Sequence, residues 1–237
     1  MSLNTSRADL DLDQDPDTTQ PKILIMTAVA AERDAVLRGL RGDPRFEVRE
    51  AGVGPVAAAV SAATTLALAG EGAYRLVICA GIAGGFVGRA AIGSVVVADE
   101  LIAADLGAET PEGFRRVDEL GFGSAHIAAD AKLGARLTEA LRSAGLTAVQ
   151  APVLTLSTVT GTAATAEELA ARVPKAAAEA MEGFGIAAAA QSHGLPVLEI
   201  RAISNAIGPR DRDAWRIKEA MQALEAASAV LMEVIES

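Results

Sequence analysis

The chain contains apolar runs too continuous for half-exposed strands: "KILIMTA" at 22–28 and "YRLVICAG" at 74–81, and "PVLEIRAISN" at 196–205, broken only by Glu199 and Arg201. A strand with one face in water alternates apolar and polar residues, so these runs require cover on both faces. The intervening segments supply helices for it. "AERDAVLRGL" (31–40) places Ala35, Val36 and Leu40 on one face, and an Ala-rich helix starts at Pro55, a residue suited to the first helical position. "DAKLGARLTEALRSAG" (130–145) is amphipathic and closes on Gly145. "AEELAARV" (166–173) reads as a further helix, and residues 177–194 as a short strand followed by a helix. A last helix is expected over 212–236. "FEVRE" (46–50) alternates as a half-exposed strand. "SVVVADELIAAD" (94–105) reads as one strand, 151–162 as strand then loop, "IAGG" after residue 81 as a glycine loop, and 106–125 as loop. Strands alternating with helices predict an α/β fold: one three-layer domain around a mixed, mostly parallel central sheet.

Composition narrows the class. Of 237 residues, 51% are hydrophobic and only 3% aromatic, so alanine carries much of the core and helices can pack closely on the sheet. The net charge of -10 argues against a nucleic-acid surface, which needs clustered Lys and Arg. Five aspartates fall in the first twenty residues. Residues 1–20 therefore read as a disordered acidic tail and 21–237 as the folded domain. The single cysteine, Cys79, permits no disulfide within the chain and no Cys-rich metal site, and reads as a small buried hydrophobe. His126 and His193 are isolated, so no metal is expected. The longest uncharged stretch, between Glu50 and Glu71, is glycine-broken and too weakly apolar to span a membrane. A cytoplasmic setting is expected.

"GVGPVA" (52–57) matches a G-x-G-x-x-A dinucleotide fingerprint, but the strand before it alternates. The next strand ends at Ala80-Gly81, not on a ribose-binding acid. No Walker loop, H-E-x-x-H or G-x-S-x-G element occurs, and no cofactor is expected. What remains is a set of polar groups at strand ends: Glu32 after the first strand, Glu182 after Met181, and Arg201, Ser204 and Asn205 along the last strand. Each alone reads as a surface charge or structural ion pair, and Glu199 and Arg201 within an apolar run are costly unless paired. Together they sit where open α/β sheets bind ligands, outside the carboxyl ends of the strands.

In order, "ILIMTAVAAE" ending at Glu32, the Gly52-Val53-Gly54 turn, the Gly81–Gly85 "G-x-A-G-G" stretch, "MEG" at 181–183 and "RAISN" at 201–205 resemble the purine nucleoside phosphorylase and nucleosidase superfamily. The resemblance spans Lys22 to Ile235. Glu32 is hydrolase-like, where phosphorylases carry a phosphate-binding arginine near the first strand. Asn205 stands where adenine-cleaving nucleosidases have aspartate. The combination most resembles the futalosine hydrolase family, of the alternative menaquinone pathway, which implies release of hypoxanthine from futalosine. A methylthioadenosine/S-adenosylhomocysteine-type nucleosidase, a phosphorylase and a purine-binding module without turnover are the other readings.

Breaking a purine N-glycosidic bond builds oxocarbenium character on the ribose. The resemblance implies that Glu32 deprotonates a water that Arg201 helps to hold. Glu182 would accept from the ribose hydroxyls, and Met181 would pack under the sugar. Asn205, beside Ser204, would face the base: an amide can donate to O6, which a carboxylate would repel. Gly54, Ala83 and Gly84 are expected to line the substrate through their turns. Thr158 and Thr162 bracket the loop that would choose the base if Asn205 does not. Phe86, Phe114, Arg115, Arg116, Arg210, Arg212 and Trp215 are candidates for the pocket of the 5′ substituent. Relatives complete that pocket with a neighbouring subunit, which implies a homo-oligomer.

Overall fold

The computed structural model describes residues 20–235, so most of the expected tail lies outside the described residues. The element that organises the sheet is β3 (Tyr74–Gly85). On one edge its first half pairs in parallel with β1 (Lys22–Thr27), which pairs with β2 (Phe46–Glu50). Its other edge pairs in parallel with β12 (Val197–Ala206) along nearly the whole length. Its last two residues turn antiparallel to β11 (Ala178–Ala180). Beyond β11 lie β10 (Val153–Thr155), β5 (Glu100–Ala103) and β8 (His126–Ala128). Beyond β12 lie β4 (Val95–Val97) and β9 (Ala148–Gln150). The result is a mixed, mostly parallel ten-stranded sheet. A separate hairpin joins β6 (Gly107–Thr110) to β7 (Gly113–Arg116).

Side chains alternate strictly across this sheet. Ile23, Ile25, Leu76, Ile78, Leu198 and Ile200 face one layer of helices, α1 (Ala30–Leu40), α3 (Ala131–Ser143) and α6 (Ile217–Val234). Leu24, Met26, Val77, Cys79, Val197 and Ile203 face the other, α2 (Pro55–Ala69) and α5 (Gly183–Ser192). Apolar packing on both faces is why these strands read as unbroken runs. A third cluster, around Leu154 and Leu169, seats α4 (Ala163–Arg172) at the end of the sheet.

Four expectations are corrected. The glycine stretch 82–85 is strand, because β11 and β12 pair with it. Residues 94–105 form two strands: β4 pairs with β12, and β5 with β10. Residues 106–125 contain the β6–β7 hairpin. The final helix begins at Ile217, after a single 3-10 turn at Arg212–Ala214.

Candidate active site

Parallel pairing sets the carboxyl end of β1 beside the middle of β3, at Cys79, and the carboxyl end of β3 beside that of β12. The first charged group there comes from α1. Its buried residues are Glu32, Ala35, Val36, Gly39 and Leu40, so Glu32 opens the apolar stripe and is carried inward with it. Glu32 is 3% exposed. Its Oε2 accepts from the N–H groups of Ala28 (2.9 Å) and Val29 (3.3 Å), and Oε1 from Ile82 N–H on the second half of β3 (2.8 Å). The Val29 bond is half of a capping box, the glutamate half. Burial pushes the Glu32 carboxyl above its ordinary value, while Arg201 and the Ile82 N–H pull against it and Glu182 adds to it.

Arg201, on β12, is 1% exposed. An unpaired charge at that depth would cost several kcal/mol, and every edge of this guanidinium is engaged. Nε donates to Glu199 Oε1 (2.8 Å), Nη2 to Glu182 Oε2 (3.2 Å) and to Cys79 Sγ (3.0 Å), and Nη1 to the Ile82 carbonyl (3.4 Å). Burial holds the Cys79 thiol well above its usual range, so the sulfur receives this bond as a neutral thiol. Nη1 and Glu32 Oε1 converge on Gly81. A Cβ there would lie 2.7 Å from the first and 2.6 Å from the second, so only glycine leaves room for both.

Glu182 sits where β11 turns into α5 and is buried. Its Oε1 accepts from Gly54 N–H (3.2 Å), and Oε2 from Met181 N–H (3.3 Å) as well as Arg201. Gly54 has φ 94°, a left-handed conformation that favours glycine, and it places its N–H toward Glu182 just before Pro55 starts α2. Glu32, Glu182 and Arg201, distant in sequence, therefore form one buried cluster.

At the far end of β12 the register with β3 slips between Ile203 and Asn205. Such a bulge re-aims the residues that follow it. Ser204 donates to the Ala83 carbonyl (3.2 Å) and to Asn205 Oδ1 (2.8 Å), and Asn205 Nδ2 donates to the Ala206 carbonyl (3.0 Å). Nδ2 also lies over Gly84, 3.3 Å from where a Cβ would stand. The Asn205 amide is thus half-buried at the strand end, with one Nδ2 hydrogen still to place.

The expected base loop behaves unevenly. Thr158 is exposed, and the Thr162 hydroxyl caps α4 by accepting from Thr165 N–H (3.1 Å). The buried member is Thr160, whose N–H donates to Glu179 Oε1 (2.8 Å) and whose hydroxyl donates to Oε2. Neither was singled out from sequence; the buried charge of Glu179 beside "MEG" was the available signal. Glu199 was noted only as a charge needing a partner, and Cys79 as a core hydrophobe.

The candidates for the 5′ pocket fall into separate places. Arg210 and Arg212 lie over the Trp215 ring at 5.3 and 5.9 Å, and Arg216 N–H donates to the Ser204 carbonyl (2.8 Å), which ties this segment to the end of β12. Phe114 lies instead under Arg172 (4.3 Å), and Arg116 pairs with Asp118 (3.0 Å), in the β6–β7 region beside Arg115. Phe86 lines a cavity of about 310 Å³ with Val87, Ala166, Ile207 and Pro209, past Asn205 and not over Glu32. Among the described residues no group of His, Cys, Asp and Glu is arranged to hold a metal, and no helix is long and apolar enough to cross a membrane.

The chain belongs to the phosphorylase superfamily, whose sequence pattern matches residues 33–237. Within it the chain is similar to futalosine hydrolases. That of Streptomyces coelicolor is 49% identical over 233 residues, 91% of this chain and 97% of the relative. That of Acidothermus cellulolyticus is 48% identical over 225 residues, 89% of this chain and 90% of the relative. The fold matches the native structure of futalosine hydrolase of Helicobacter pylori, with TM-score 0.74 at 19% identity over 92% of this chain and 97% of that one.

Proposed function

We propose that the protein is a purine nucleoside hydrolase that cleaves futalosine, releasing hypoxanthine. The observation that carries the reading is Glu32: a buried carboxylate pinned by three backbone N–H groups, two just past the end of β1 and one on the second half of β3. Identity of 49% across nearly the full length of a futalosine hydrolase supports the substrate. A water beside Glu32 gives its proton to the carboxylate and its oxygen to C1′. The C1′–N9 bond breaks, and its electron pair leaves with the purine. A Glu32 carboxyl raised by burial is a stronger base than an exposed one, and a positioned base contributes about 10²–10⁴-fold. Glu182 grips the 2′- and 3′-hydroxyls, with Met181 beneath the sugar and the Gly54 turn and the Ala83-Gly84 backbone around it. Arg201 offsets the charge of both carboxylates and helps hold the water. Asn205, steadied by Ser204, donates its remaining Nδ2 hydrogen to O6 of the departing base, with the Thr158–Thr162 loop alongside.

Two further parts of the proposal concern the surroundings. Val56, Val60 and Leu68 are exposed along α2, a helix without a single charged residue, and Val53 is exposed just before it, which supports burial against a second copy of the chain. The lone, buried, unpaired Cys79 suits a reducing cytoplasm.

The test is product identification. Purified protein is incubated with futalosine, inosine or methylthioadenosine, each with and without phosphate. Hypoxanthine from futalosine at a rate independent of phosphate is the expected result. Adenine from methylthioadenosine as the only product, or a sugar 1-phosphate, overturns the proposal.

A further inference from the structure

Glu199 lies near the start of β12, opposite Cys79 of β3, and is 0% exposed. A carboxylate at such a site is costly to keep and needs a reason. Its Oε1 accepts from Arg201 Nε (2.8 Å), while its Oε2 is buried with no hydrogen-bond partner. The carboxyl group rests on the start of α5. A Cβ on Gly183 would fall 2.3–2.5 Å from its three terminal atoms, so that position accepts no side chain while Glu199 is there. Val197 and Ile203, on the same face of the strand, pack into ordinary apolar core. An aliphatic residue would therefore suit position 199 on packing grounds alone.

The geometry of Arg201 supplies the reason. The guanidinium is planar and its donors form a fixed fork. Without Glu199 the guanidinium is held only at its Nη edges, by Glu182, by Cys79 Sγ and by a 3.4 Å bond to the Ile82 carbonyl, and a turn in its plane toward a two-pronged pairing with Glu182 stays open. The bond from Nε to Glu199 removes this freedom. It presents Nη2 to Glu182 and leaves Nη1 beside Gly81, the residue that Glu32 Oε1 also approaches. We infer that Glu199 is a positioning residue: held against Gly183, it locks the guanidinium of Arg201 by its Nε edge, so that Arg201 stands between the two carboxylates that do the chemistry and does not collapse onto Glu182. The inference rests on the hydrolase reading above. It adds a residue that touches no substrate and acts only through Arg201.

The test is a kinetic cycle with an independent structural readout. Glu199→Gln keeps an acceptor for Nε at the same length, whereas Glu199→Leu fills the space without one. Arg201→Lys has no Nε donor to lock. Base release is followed at saturating and limiting futalosine. Expected are kcat within about threefold of wild type for E199Q, and a fall of about tenfold or more for E199L with KM changed less than threefold, the scale of a displaced catalytic group. In the R201K background, E199L should change kcat by less than twofold. Arginine Nε–H resonances in ¹⁵N spectra provide the second readout. The signal lost in R201K should be protected from exchange in wild type and E199Q, and unprotected in E199L. Equal losses from E199L in both backgrounds, or E199Q as impaired as E199L, overturn the inference while leaving the hydrolase reading standing. If E199L does not fold, E199Q decides: kcat below one-tenth of wild type overturns the inference. Wild-type protein that releases no base overturns both.

Discussion

Gly81→Ala adds one methyl group at the point where Glu32 and Arg201 converge. The new Cβ would stand 2.6 Å from Glu32 Oε1 and 2.7 Å from Arg201 Nη1, where ordinary contact begins at 3.4 Å. Each group must retreat by roughly 0.8 Å, and neither is free to do so. Oε1 holds the Ile82 N–H at 2.8 Å, and the guanidinium is tied to Glu199 and Glu182. Overpacking of this kind costs about 1–3 kcal/mol. For a chain of this size that lowers Tm by about 2–12 °C. The larger effect should be on turnover, because misplacing reacting groups by about 1 Å can cost about 10²-fold. The assay is hypoxanthine release from futalosine, with Tm followed by circular dichroism. The expected result is folded protein with kcat reduced about 10²-fold. Turnover within threefold of wild type would refute the claim that Glu32 and Arg201 act from their observed positions.

Other outcomes follow from the same geometry. Asn205→Asp replaces the amide proposed to donate to O6 with a charge, and loss of such a bond costs about 1–3 kcal/mol; kcat/KM for futalosine should fall about 5- to 150-fold, and less for its 6-amino analogue. An unchanged ratio between the two substrates would show that Asn205 does not read the base. Wild-type protein should discriminate against a 2′-deoxy substrate, and Glu182→Gln should remove most of that discrimination; equal handling of both sugars by wild type excludes a grip on the 2′-hydroxyl. The Glu32 carboxyl is raised from its ordinary 4.5 by burial, so the folded state binds the proton more tightly than the unfolded chain. That contribution to stability is fully present below 4.5 and is lost as pH rises through the raised value. The difference in Tm between wild type and Glu32→Gln, scanned from pH 4 to 8, should shift against wild type with rising pH. The acid limb of kcat should lie above 4.5. A flat difference and an acid limb at or below 4.5 would contradict the burial of an active carboxyl.

The central strands were legible because burial on both faces leaves few polar residues to interrupt them, and α1 and α3 because each shows one apolar stripe. Glu32 and Arg201 were legible as charges in apolar settings. What was lost is what depends on partners across the sheet. The stretch 82–85 reads as loop because glycine is a poor strand former, yet Ile203 and Ile207 fill the space beside Gly84 and Gly85 and β12 pairs with the stretch throughout. Residues 94–105 read as one strand because Val95–Val97 and Leu101–Ala103 are equally apolar, and no period marks the change of neighbour between them. Cys79 reads as core filler, since its contact with Arg201 is set by the register of β3 against β12. Thr162 reads as a ligand group, but a threonine three residues before Thr165 at a helix start also suits a cap, and the hydroxyl is so engaged.

The proposed hydrolysis turns on a water activated by Glu32. Its most direct test is a single turnover of futalosine in phosphate-free buffer, wild type against Glu32→Gln, with base binding checked by equilibrium titration of hypoxanthine. The backbone donors around Glu32 oppose an amide there, so some loss of stability is expected in the variant. That mechanism predicts stoichiometric release of hypoxanthine by wild type, release slower by about 10²-fold or more in Glu32→Gln, and hypoxanthine binding retained in both. Release by the folded variant within threefold of wild type, or release by wild type only when phosphate is added, would contradict it.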